Sequence, residues 1–343
     1  MQIIRLGKRR LLLLALSVSV ITLLASLYVY GALFAEIEIA AGDSADAVSI
    51  EISPGSSLNR IAQDLGQDGY LASPTLFKLW ARLRGVDGSI RAGEYALERG
   101  ITPVQLLNKI VRGDAIEYRI TLVEGWTFER ALEAIRNAEN IDNELAGLSL
   151  EEIALRMGLE RTSPEGLLFP DTYFYRKGTS DLELLQRASE RLDTVLLDAW
   201  ENRLGALPYE NAYEALTMAS IVERESASNS ERELIAAVFI TRLERGMRLQ
   251  SDPTVIYGMG ERYQGNISRE DLSEQTPYNT YRIDGLPPTP IALSGSESIV
   301  AALRPAATDY LYFVAKGDGS HQFSRTLEEH NAAVRQYQLG IVE

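Results

Sequence analysis

The segment "ALTMASIVERESASNSERE", residues 215–233, decides how the fold and chemistry of this chain are interpreted. After Glu214, the residues up to Val222 are apolar or small on every face of a helix, a pattern typical of a helix that is buried all round. Two acids, Glu223 and Glu225, follow at the C-terminal end of this run. We therefore expect their carboxyl groups to be partly removed from water.

The two acids are expected to have different roles because they lie two positions apart. Side chains three or four residues apart share a helix face, so Glu223 and Glu225 face nearly opposite ways and cannot form a paired-carboxylate site on this helix alone. Burial disfavours the charged form of a carboxyl group and raises its pKa, which suits a general acid near neutral pH. The alternative is a run of charges at the helix end, Glu223, Arg224 and Glu225, that are either solvated or paired to Arg232.

Composition excludes several classes of protein. With 343 residues and 45% hydrophobic content the chain can bury a sizeable core, and its length suggests about two domains. A net charge of -14 argues against a nucleic-acid partner, and the absence of cysteine excludes disulfides and thiol catalysis. No metal or cofactor is expected, because His321 and His330 lack further ligands at zinc spacing and no nucleotide-binding glycine motif occurs. The two histidines are assigned structural or cleft-edge roles.

The N-terminus predicts a membrane anchor. Residues 11–35 carry no charge and are long enough to cross a bilayer as a helix, whereas the apolar region of a signal peptide is shorter. Basic residues precede this run and acids follow it, so the positive-inside rule places residues 1–10 in the cytoplasm and the rest of the chain outside. The alternative is a long cleaved signal. The charges concerned are Arg5, Lys8, Arg9, Arg10, Glu36 and Glu38.

A strand–turn–helix pattern occurs twice after a predicted linker at 36–47. Residues 50–62 and 120–132 align without gaps, and each copy has an alternating apolar strand, a glycine turn, a Ser or Thr N-cap candidate and a periodic helix. The candidate caps are Ser57 and Thr127. Two copies indicate a duplicated supersecondary element, since a solenoid needs at least three repeats.

The first copy continues with a helix near 74–84, a strand near 93–97 and a helix near 103–112. This order, headed by "PGSSLNRIAQDL", resembles a LysM-type glycan-binding module. We therefore predict a LysM-like subdomain at 48–116. The pattern alone also fits an ordinary packing element of an α+β domain.

The remaining chain, 117–343, has mixed helix and strand patterns: a strand at 118–123 and helices at 127–138, 150–157 and 181–203. Asp171 lies between the last two helices and is followed by the aromatic residues Tyr173, Phe174 and Tyr175. An acid beside aromatic rings could line a sugar cleft, because sugar faces stack on such rings. The alternative is a Pro-Asp turn that leads into a half-buried strand.

Three later segments combine rigid turns with polar and aromatic side chains, which suits the recognition of hydroxyl groups: "RLQSDPTVIYGMG" at 248–260, "QTPYNTYR" at 275–282 and "GLPPTPI" at 285–291. Together with "ASIVERESA" and "YLYFVAKGDGSHQFSRTLEEHN", they resemble the MltG/YceG-type endolytic murein transglycosylases. The resemblance extends from "EGLLFPDTY" to the C-terminus and, more loosely, back to the membrane anchor.

This resemblance implies an enzyme that cleaves the MurNAc–GlcNAc bond within peptidoglycan glycan strands during wall assembly and leaves 1,6-anhydro-MurNAc ends. It makes Glu225 the catalytic residue, with Ser226, Glu223 and Asp171 in support. It also implies that a set of residues lines the glycan cleft, with Asn279 favoured as the direct polar contact: Gln250, Asp252, Tyr278, Asn279 and Tyr281.

The sequence thus predicts an α+β protein with an N-terminal transmembrane helix, a LysM-like subdomain and a catalytic domain at 117–343. The resemblance implies a single-pass protein of the bacterial cytoplasmic membrane, with its C-terminal domain facing the wall and peptidoglycan synthases as candidate partners. Two alternatives are a non-catalytic wall-binding or division scaffold and a lysozyme-type hydrolase.

Overall fold

The computed structural model describes residues 2–39, 48–226 and 229–340, which form a mixture of helices and short strands. The chain divides into two compact units, Met1–Tyr118 and Arg119–Glu343. Mixed helix and sheet agrees with the predicted α+β class. Of the predicted linker, residues 40–47 lie outside the described residues.

The first helix, α1 (Gln2–Phe34), contains the predicted membrane segment. Its stretch Leu11–Phe34 is 24 residues long, with a mean hydropathy of 2.4. A helix of this length rises roughly 36 Å, which is enough to cross the hydrocarbon core of a bilayer. By length and composition, α1 is therefore a candidate membrane span.

The first unit also contains two strands and three helices around its own apolar core. Its strands pair antiparallel, with Val48 opposite Leu97. The predicted helices near 74–84 and 103–112 and the strand near 93–97 are confirmed, while the assignment as LysM-like stays a prediction. The elements are β1 (Val48–Ile52), α2 (Leu58–Gln67), α3 (Pro74–Leu83), β2 (Gly93–Leu97) and α4 (Pro103–Arg112).

The second unit contains the other copy of the strand–turn–helix pattern and all the elements that surround the candidate site. Short strand pairs join β3 to β5, β4 to β6 in parallel, and β7 to β8 antiparallel. The elements are β3 (Tyr118–Thr121), α5 (Phe128–Arg136), β4 (Ile141–Asp142), α6 (Leu150–Met157), β5 (Thr172–Tyr175), β6 (Thr179–Ser180), α7 (Asp181–Glu201), α8 (Ala212–Glu225), α9 (Arg232–Glu244), α10 (Asp252–Met259), α11 (Ser296–Leu303), β7 (Tyr312–Ala315), β8 (His321–Ser324) and α12 (Leu327–Tyr337).

The duplicated pattern is confirmed in both units. Gly55 and Gly125 turn the chain after β1 and β3 with φ values of 77° and 76°, a left-handed conformation that glycine adopts without strain. Ser57 and Thr127 then cap α2 and α5, because each side-chain oxygen accepts a hydrogen bond from a backbone N–H three residues later. Local sequence therefore determines these two elements.

Helix α8 is the central element of the second unit. Every residue from Ala215 to Glu223 is buried, as the sequence pattern predicts. The neighbouring helices α7, α9, α10 and α11 contact α8, and burial of a large apolar side chain such as Leu216 or Ile221 contributes about 1.5–3 kcal/mol. This packing holds the C-terminal end of α8, and with it Glu225, in a defined place.

Two loops beside α8 approach closely at Gly166 and Pro290. Gly166 has a φ of 73°, and a Cβ added to it would lie 2.3 Å from Cβ of Pro290 and 3.2 Å from the carbonyl oxygen of Ala292. Such distances are shorter than van der Waals contact, so only glycine fits. The contact fixes the backbone of Gly166, directly after Glu165, against Pro290 and Ala292.

We expect Gly166→Ala to destabilise the second unit, because it combines left-handed strain with a collision against Pro290. The loss in free energy of unfolding should be about 3 kcal/mol. Gly158→Ala is the matched control, since Gly158 has a φ of 83° but a Cβ there meets no atom within 4 Å. That change should cost only about 1 kcal/mol. Denaturant unfolding of both variants measures the difference, and equal losses would contradict the close approach.

Candidate active site

Glu225 ends α8, and its side chain enters a polar cluster. Its Oε1 accepts a hydrogen bond of 2.6 Å from the hydroxyl of Ser251, which lies directly before α10. Within the described part of the chain, Oε2 has no hydrogen-bond partner. The side chain is partly accessible to solvent, so one carboxyl oxygen is free to face a ligand.

The environment of Glu225 favours its protonated form. Burial raises its pKa to about 7. The Ser251 hydrogen bond opposes this rise, the nearby carboxylate of Asp252 adds to it, and electrostatic interactions with His321 and Arg242 lower the pKa. A carboxyl group with a pKa near 7 can both give and accept a proton near neutral pH, as general acid–base catalysis requires.

Ser251 is positioned by a constrained turn. Gln250 has a φ of 53°, a left-handed conformation that is uncommon for a residue other than glycine. On one side, the buried guanidinium of Arg242 donates a 2.6 Å hydrogen bond to the carbonyl of Leu249. On the other side, the backbone N–H of Ser251 donates to Oγ1 of Thr280 at 2.9 Å. These bonds aim the serine hydroxyl at the acid.

Two predicted cleft residues, Asp252 and Tyr281, lie beside Glu225. The Tyr281 hydroxyl donates a 2.6 Å hydrogen bond to Oδ1 of Asp252, and both side chains interact electrostatically with Glu225. Burial, with the Asp252 contact second, raises the pKa of Tyr281, so its hydroxyl stays a donor. The exposed side chain of Gln250 precedes Ser251 at the same turn. The structure thus brings these predicted residues into one neighbourhood.

Glu223 makes different contacts from Glu225. Its Oε1 accepts a 3.0 Å hydrogen bond from Nη2 of Arg232, and its Oε2 accepts one of 3.0 Å from the backbone N–H of Gly295. Both partners of the ion pair are buried. Glu223 therefore ties the end of α8 to the start of α9 and to the segment before α11. The sequence offered an ion pair with Arg232 as one alternative, and the structure contains this pair at Glu223.

His321, at the start of β8, is held by an acid that the sequence did not indicate. Its Nδ1 lies 2.8 Å from Oε2 of Glu231, and its backbone N–H donates to the same carboxylate at 3.1 Å. The ring also packs edge-on against Phe313. These contacts fix the orientation of an imidazole that interacts electrostatically with Glu225. No local signal could reveal the pair, because its members are 90 residues apart.

Asn279, for which the family resemblance implies a direct polar contact with the glycan, is a buried loop residue. Only 1% of its surface is exposed, and its Nδ2 donates to the backbone carbonyls of Asp271, Leu272 and Glu274. Its Oδ1 accepts a hydrogen bond from the backbone N–H of Tyr281. The amide is therefore buried and hydrogen-bonded within the loop that it braces.

Asp171 lies in the turn that leads into β5. Its side chain is exposed before β5 and accepts a 2.7 Å hydrogen bond from the backbone N–H of Thr172, while its carbonyl accepts one from Leu122. The following rings of Tyr173 and Tyr175 are buried. This is the turn into a half-buried strand that the sequence offered as the alternative.

The remaining two predicted residues, Ser226 and Tyr278, lie in different surroundings. Ser226 is the C-cap of α8, and its buried hydroxyl has no hydrogen-bond partner in the described chain. The Tyr278 hydroxyl lies 2.9 Å from Oγ1 of Thr289, and its ring packs edge-on against Tyr257 at 4.8 Å. Tyr278 therefore belongs to a second polar cluster around Tyr257.

Glu165 is the residue of this second cluster that sequence reasoning missed. Burial raises its pKa to about 7. Its Oε1 accepts from the backbone N–H groups of Phe128 and Gly166, and its Oε2 accepts from the Tyr257 hydroxyl at 3.2 Å. Unlike Glu225, it has hydrogen bonds to both oxygens and caps the start of α5. These contacts assign Glu165 to holding loops together.

A cavity of about 580 Å³ adjoins Glu165 and Tyr257. Trp126, Arg130 and Tyr263 also line it, so it offers aromatic faces with polar edges. Such surfaces suit sugar rings. In the described ranges, no three His, Asp or Glu side chains are grouped to hold a metal ion.

An acid with a raised pKa at the end of a buried helix, beside a polar cluster, is a candidate for acid–base catalysis. The sequence pattern of the YceG-like family matches residues 50–336. The chain therefore belongs to the YceG-like family.

Similar proteins include endolytic murein transglycosylases. One from Bacillus subtilis (strain 168) is 32% identical over 317 residues, which cover 86% of this chain and 86% of the relative. One from Streptococcus pneumoniae (serotype 2, strain D39) is 27% identical over 84% of this chain, and the match spans 58% of that longer relative. The structure resembles that of a yceG-like protein from Listeria monocytogenes, with 29% identity, a TM-score of 0.54 and coverage of 84% of this chain and 99% of that one.

We expect Glu225→Gln to make the protein more stable at high pH. The pKa of Glu225 is raised from 4.5 to about 7, so the acid's contribution to stability is full below about pH 4.5 and is lost as the pH rises through 7. Gln avoids this loss, which is on the order of 2 kcal/mol. Unfolding of the detergent-solubilised chain at about pH 5 and pH 8 measures the effect. Glu133→Gln, at an exposed position, is the control. If the difference in free energy of unfolding between wild type and Glu225→Gln is the same at both pH values, the burial of Glu225 is contradicted.

Proposed function

We propose that this chain is an endolytic murein transglycosylase that cuts the MurNAc–GlcNAc bond within peptidoglycan strands during wall assembly and leaves 1,6-anhydro-MurNAc ends. One observation carries the assignment: Glu225 has one oxygen held by Ser251, the other without a described partner, and a pKa raised to about 7. The names of the similar proteins from Bacillus and Streptococcus support the same activity.

In the first step Glu225 acts as a general acid. The Ser251 hydroxyl donates to Oε1, so the proton is carried by Oε2, the oxygen available to a ligand. Oε2 gives this proton to the glycosidic oxygen as the bond between that oxygen and C1 of MurNAc breaks. The GlcNAc side leaves as an alcohol and positive charge develops on the muramoyl ring. The hydrogen bond from Ser251 stabilises the carboxylate that remains.

In the second step the same residue acts as a base. The C6 hydroxyl of the muramoyl unit attacks its own C1, and Oε2 of Glu225 accepts the hydroxyl proton. One carbon–oxygen bond forms for the one that was broken, no water is consumed, and the acid regains its initial state. Cyclisation within one sugar depends on a conformation that brings the C6 oxygen near C1, which is a positioning effect.

Asp252 is the second carboxyl group of the site, and its negative charge suits stabilisation of the developing positive charge. Tyr281 donates a hydrogen bond to Oδ1 and thereby holds this carboxylate in place. In our proposal Gln250 and Tyr278 contact the glycan, and Asn279 shapes the loop that carries Tyr281. The aromatic cavity beside Glu165 would accept further sugar units of the strand.

We further propose that α1 anchors the protein in the bacterial cytoplasmic membrane as a single span. The basic residues before the apolar segment support a cytoplasmic position for residues 1–10 and a position on the wall side for residues 36–343. An anchored enzyme facing the wall has access to glycan strands as they emerge from membrane-bound synthases, which are candidate partners. The first unit, with its LysM-like order of elements, would bind glycan.

We expect Glu225→Gln to abolish cleavage while the fold is retained, because Gln can neither give nor accept the proton. A loss of about three orders of magnitude or more is expected for removal of a general acid–base group. Purified glycan strands, incubated with the full-length protein in detergent, would be analysed by mass spectrometry. Glu133→Gln, at an exposed position, serves as the matched control.

The same experiment in water labelled with heavy oxygen separates the candidate reactions. Our mechanism predicts anhydro ends that carry no label. A lysozyme-type hydrolase, with Asp252 as the second acid, would give labelled reducing ends. A scaffold protein would give no cleavage by the wild type. Retained cleavage by Glu225→Gln would disprove our residue assignment and make Glu165 the next acid to test.

We expect Ser251→Ala to raise the pKa of Glu225 above that of the wild type, because the hydrogen bond to the ionised form is lost. The decline of kcat/KM at high pH should then move to higher pH, and kcat should fall because the carboxylate formed in the first step is less stable. Ser251→Thr, which keeps a hydroxyl, is the control. A pH profile that does not move in Ser251→Ala would argue against this role.

A further inference from the structure

Helix α3 carries an apolar face that the first unit does not cover. Leu79 and Leu83 lie one turn apart and are 50% and 74% exposed. In the described part of the first unit beyond α1, these two are the exposed large apolar side chains. The opposite face of α3 is buried through Phe77 and Ala81. Both faces of this short helix therefore carry apolar side chains, and the described part of the first unit covers one of these faces.

This apolar face lies next to the end of the candidate membrane helix. The ring of Trp80 meets that of Phe34 edge-on, with centroids 5.5 Å apart, and Phe34 stacks in turn on Tyr30. Leu83 follows Trp80 by three positions and therefore lies on the same side of α3. The exposed surface of α3 thus continues the apolar surface of α1.

The end of α1 is embedded in the first unit. Leu33 and Ile37 are buried, and the backbone N–H of Ile37 donates a 2.8 Å hydrogen bond to the carbonyl of Ile101. Because α1 enters the unit without a free linker, α3 is held at the level where α1 leaves the bilayer.

The charges of α3 complement a lipid surface. From Pro74 to the C-cap Arg84 this helix carries three basic side chains and no acid. Arg82 and Arg84 are exposed, and Lys78 is half-buried beside Asn59. Basic side chains near a membrane are attracted to anionic headgroups, and tryptophan is enriched at the membrane–water boundary.

We propose that α3 is a membrane-surface contact, in which Leu79 and Leu83 enter the boundary between lipid headgroups and acyl chains while the basic side chains meet anionic headgroups. An interfacial helix with this composition lies in the plane of the membrane. We assign a lipid bilayer, and not another protein, as the partner of this apolar face, because the face is continuous with the apolar surface of α1. The contact fixes the orientation of the first unit on the membrane. This inference rests on the proposed anchoring by α1.

The absence of native cysteine makes the test direct, because each single-cysteine variant carries one label. Leu83→Cys in the full-length chain would receive a nitroxide and be reconstituted in vesicles of phosphatidylcholine with phosphatidylglycerol. Collisions with oxygen, which concentrates in the bilayer, are compared with collisions with a water-soluble nickel complex. Leu155→Cys is the matched control, since Leu155 is 75% exposed on α6 of the second unit. Val20→Cys, within α1, tests the anchoring itself.

A bilayer contact predicts a several-fold higher ratio of oxygen to nickel collisions at position 83 than at position 155, with position 20 higher still. Equal ratios at 83 and 155, with position 20 in the bilayer, would overturn the contact while leaving the anchor intact. A water-like ratio at position 20 would overturn the anchor as well. Shielding of position 83 from both reagents, or spin–spin broadening between labels, would identify a protein or a second copy as the occupant and overturn the proposal.

The lipid composition supplies a second readout. Replacing phosphatidylglycerol with phosphatidylcholine should lower the ratio at position 83, because the basic side chains lose their anionic partners, and should leave the ratio at position 20 unchanged. The double variant Arg82→Gln/Arg84→Gln should remove this lipid dependence. Lipid dependence that persists in the double variant would contradict the role of these charges.

Discussion

The hydrogen bond from Ser251 to Glu225 is the contact on which the candidate site depends. It joins the end of α8 to the start of α10, and it engages one carboxyl oxygen while the other has no partner within the described chain. The position of each partner has a structural cause. The burial of α8 fixes the position of Glu225, and the turn around Gln250 fixes the position of Ser251. Arg242, bound to the carbonyl of Leu249, couples that turn to α9.

The same contact distinguishes two acids that both have a raised pKa, Glu225 as the proposed catalytic residue and Glu165 as a structural one. Glu165 and Glu225 both have a pKa raised to about 7 by burial. Three donors occupy the two oxygens of Glu165, whereas only Ser251 binds Glu225 within the described chain. A raised pKa therefore identifies candidate acid–base residues, and a carboxyl oxygen without a hydrogen-bond partner distinguishes Glu225 from Glu165. Glu223 is different again, because Arg232 and a backbone N–H stabilise its carboxylate.

Each unit has its own apolar core, and each also leaves some large apolar side chains exposed. In the second unit, the helices around α8 enclose the core, and Leu155 is among the side chains that remain exposed. In the first unit, α1 and the outer face of α3 leave large apolar side chains exposed, and they adjoin at Trp80 and Phe34. A protein anchored in a bilayer can use the lipid as the missing partner for such a surface.

Sequence alone predicted what depends on local pattern: the apolar segment of α1, the paired strand–turn–helix elements, the burial of α8 and the acid at its end. These follow from periodicity and capping, which act over a few residues. Tertiary structure alone decided which groups meet. It gave Glu225 its Ser251 partner and His321 its Glu231, and it turned Asn279 inward to brace a loop. Contacts between distant segments depend on how whole elements pack, and that packing leaves no periodic signal in the sequence.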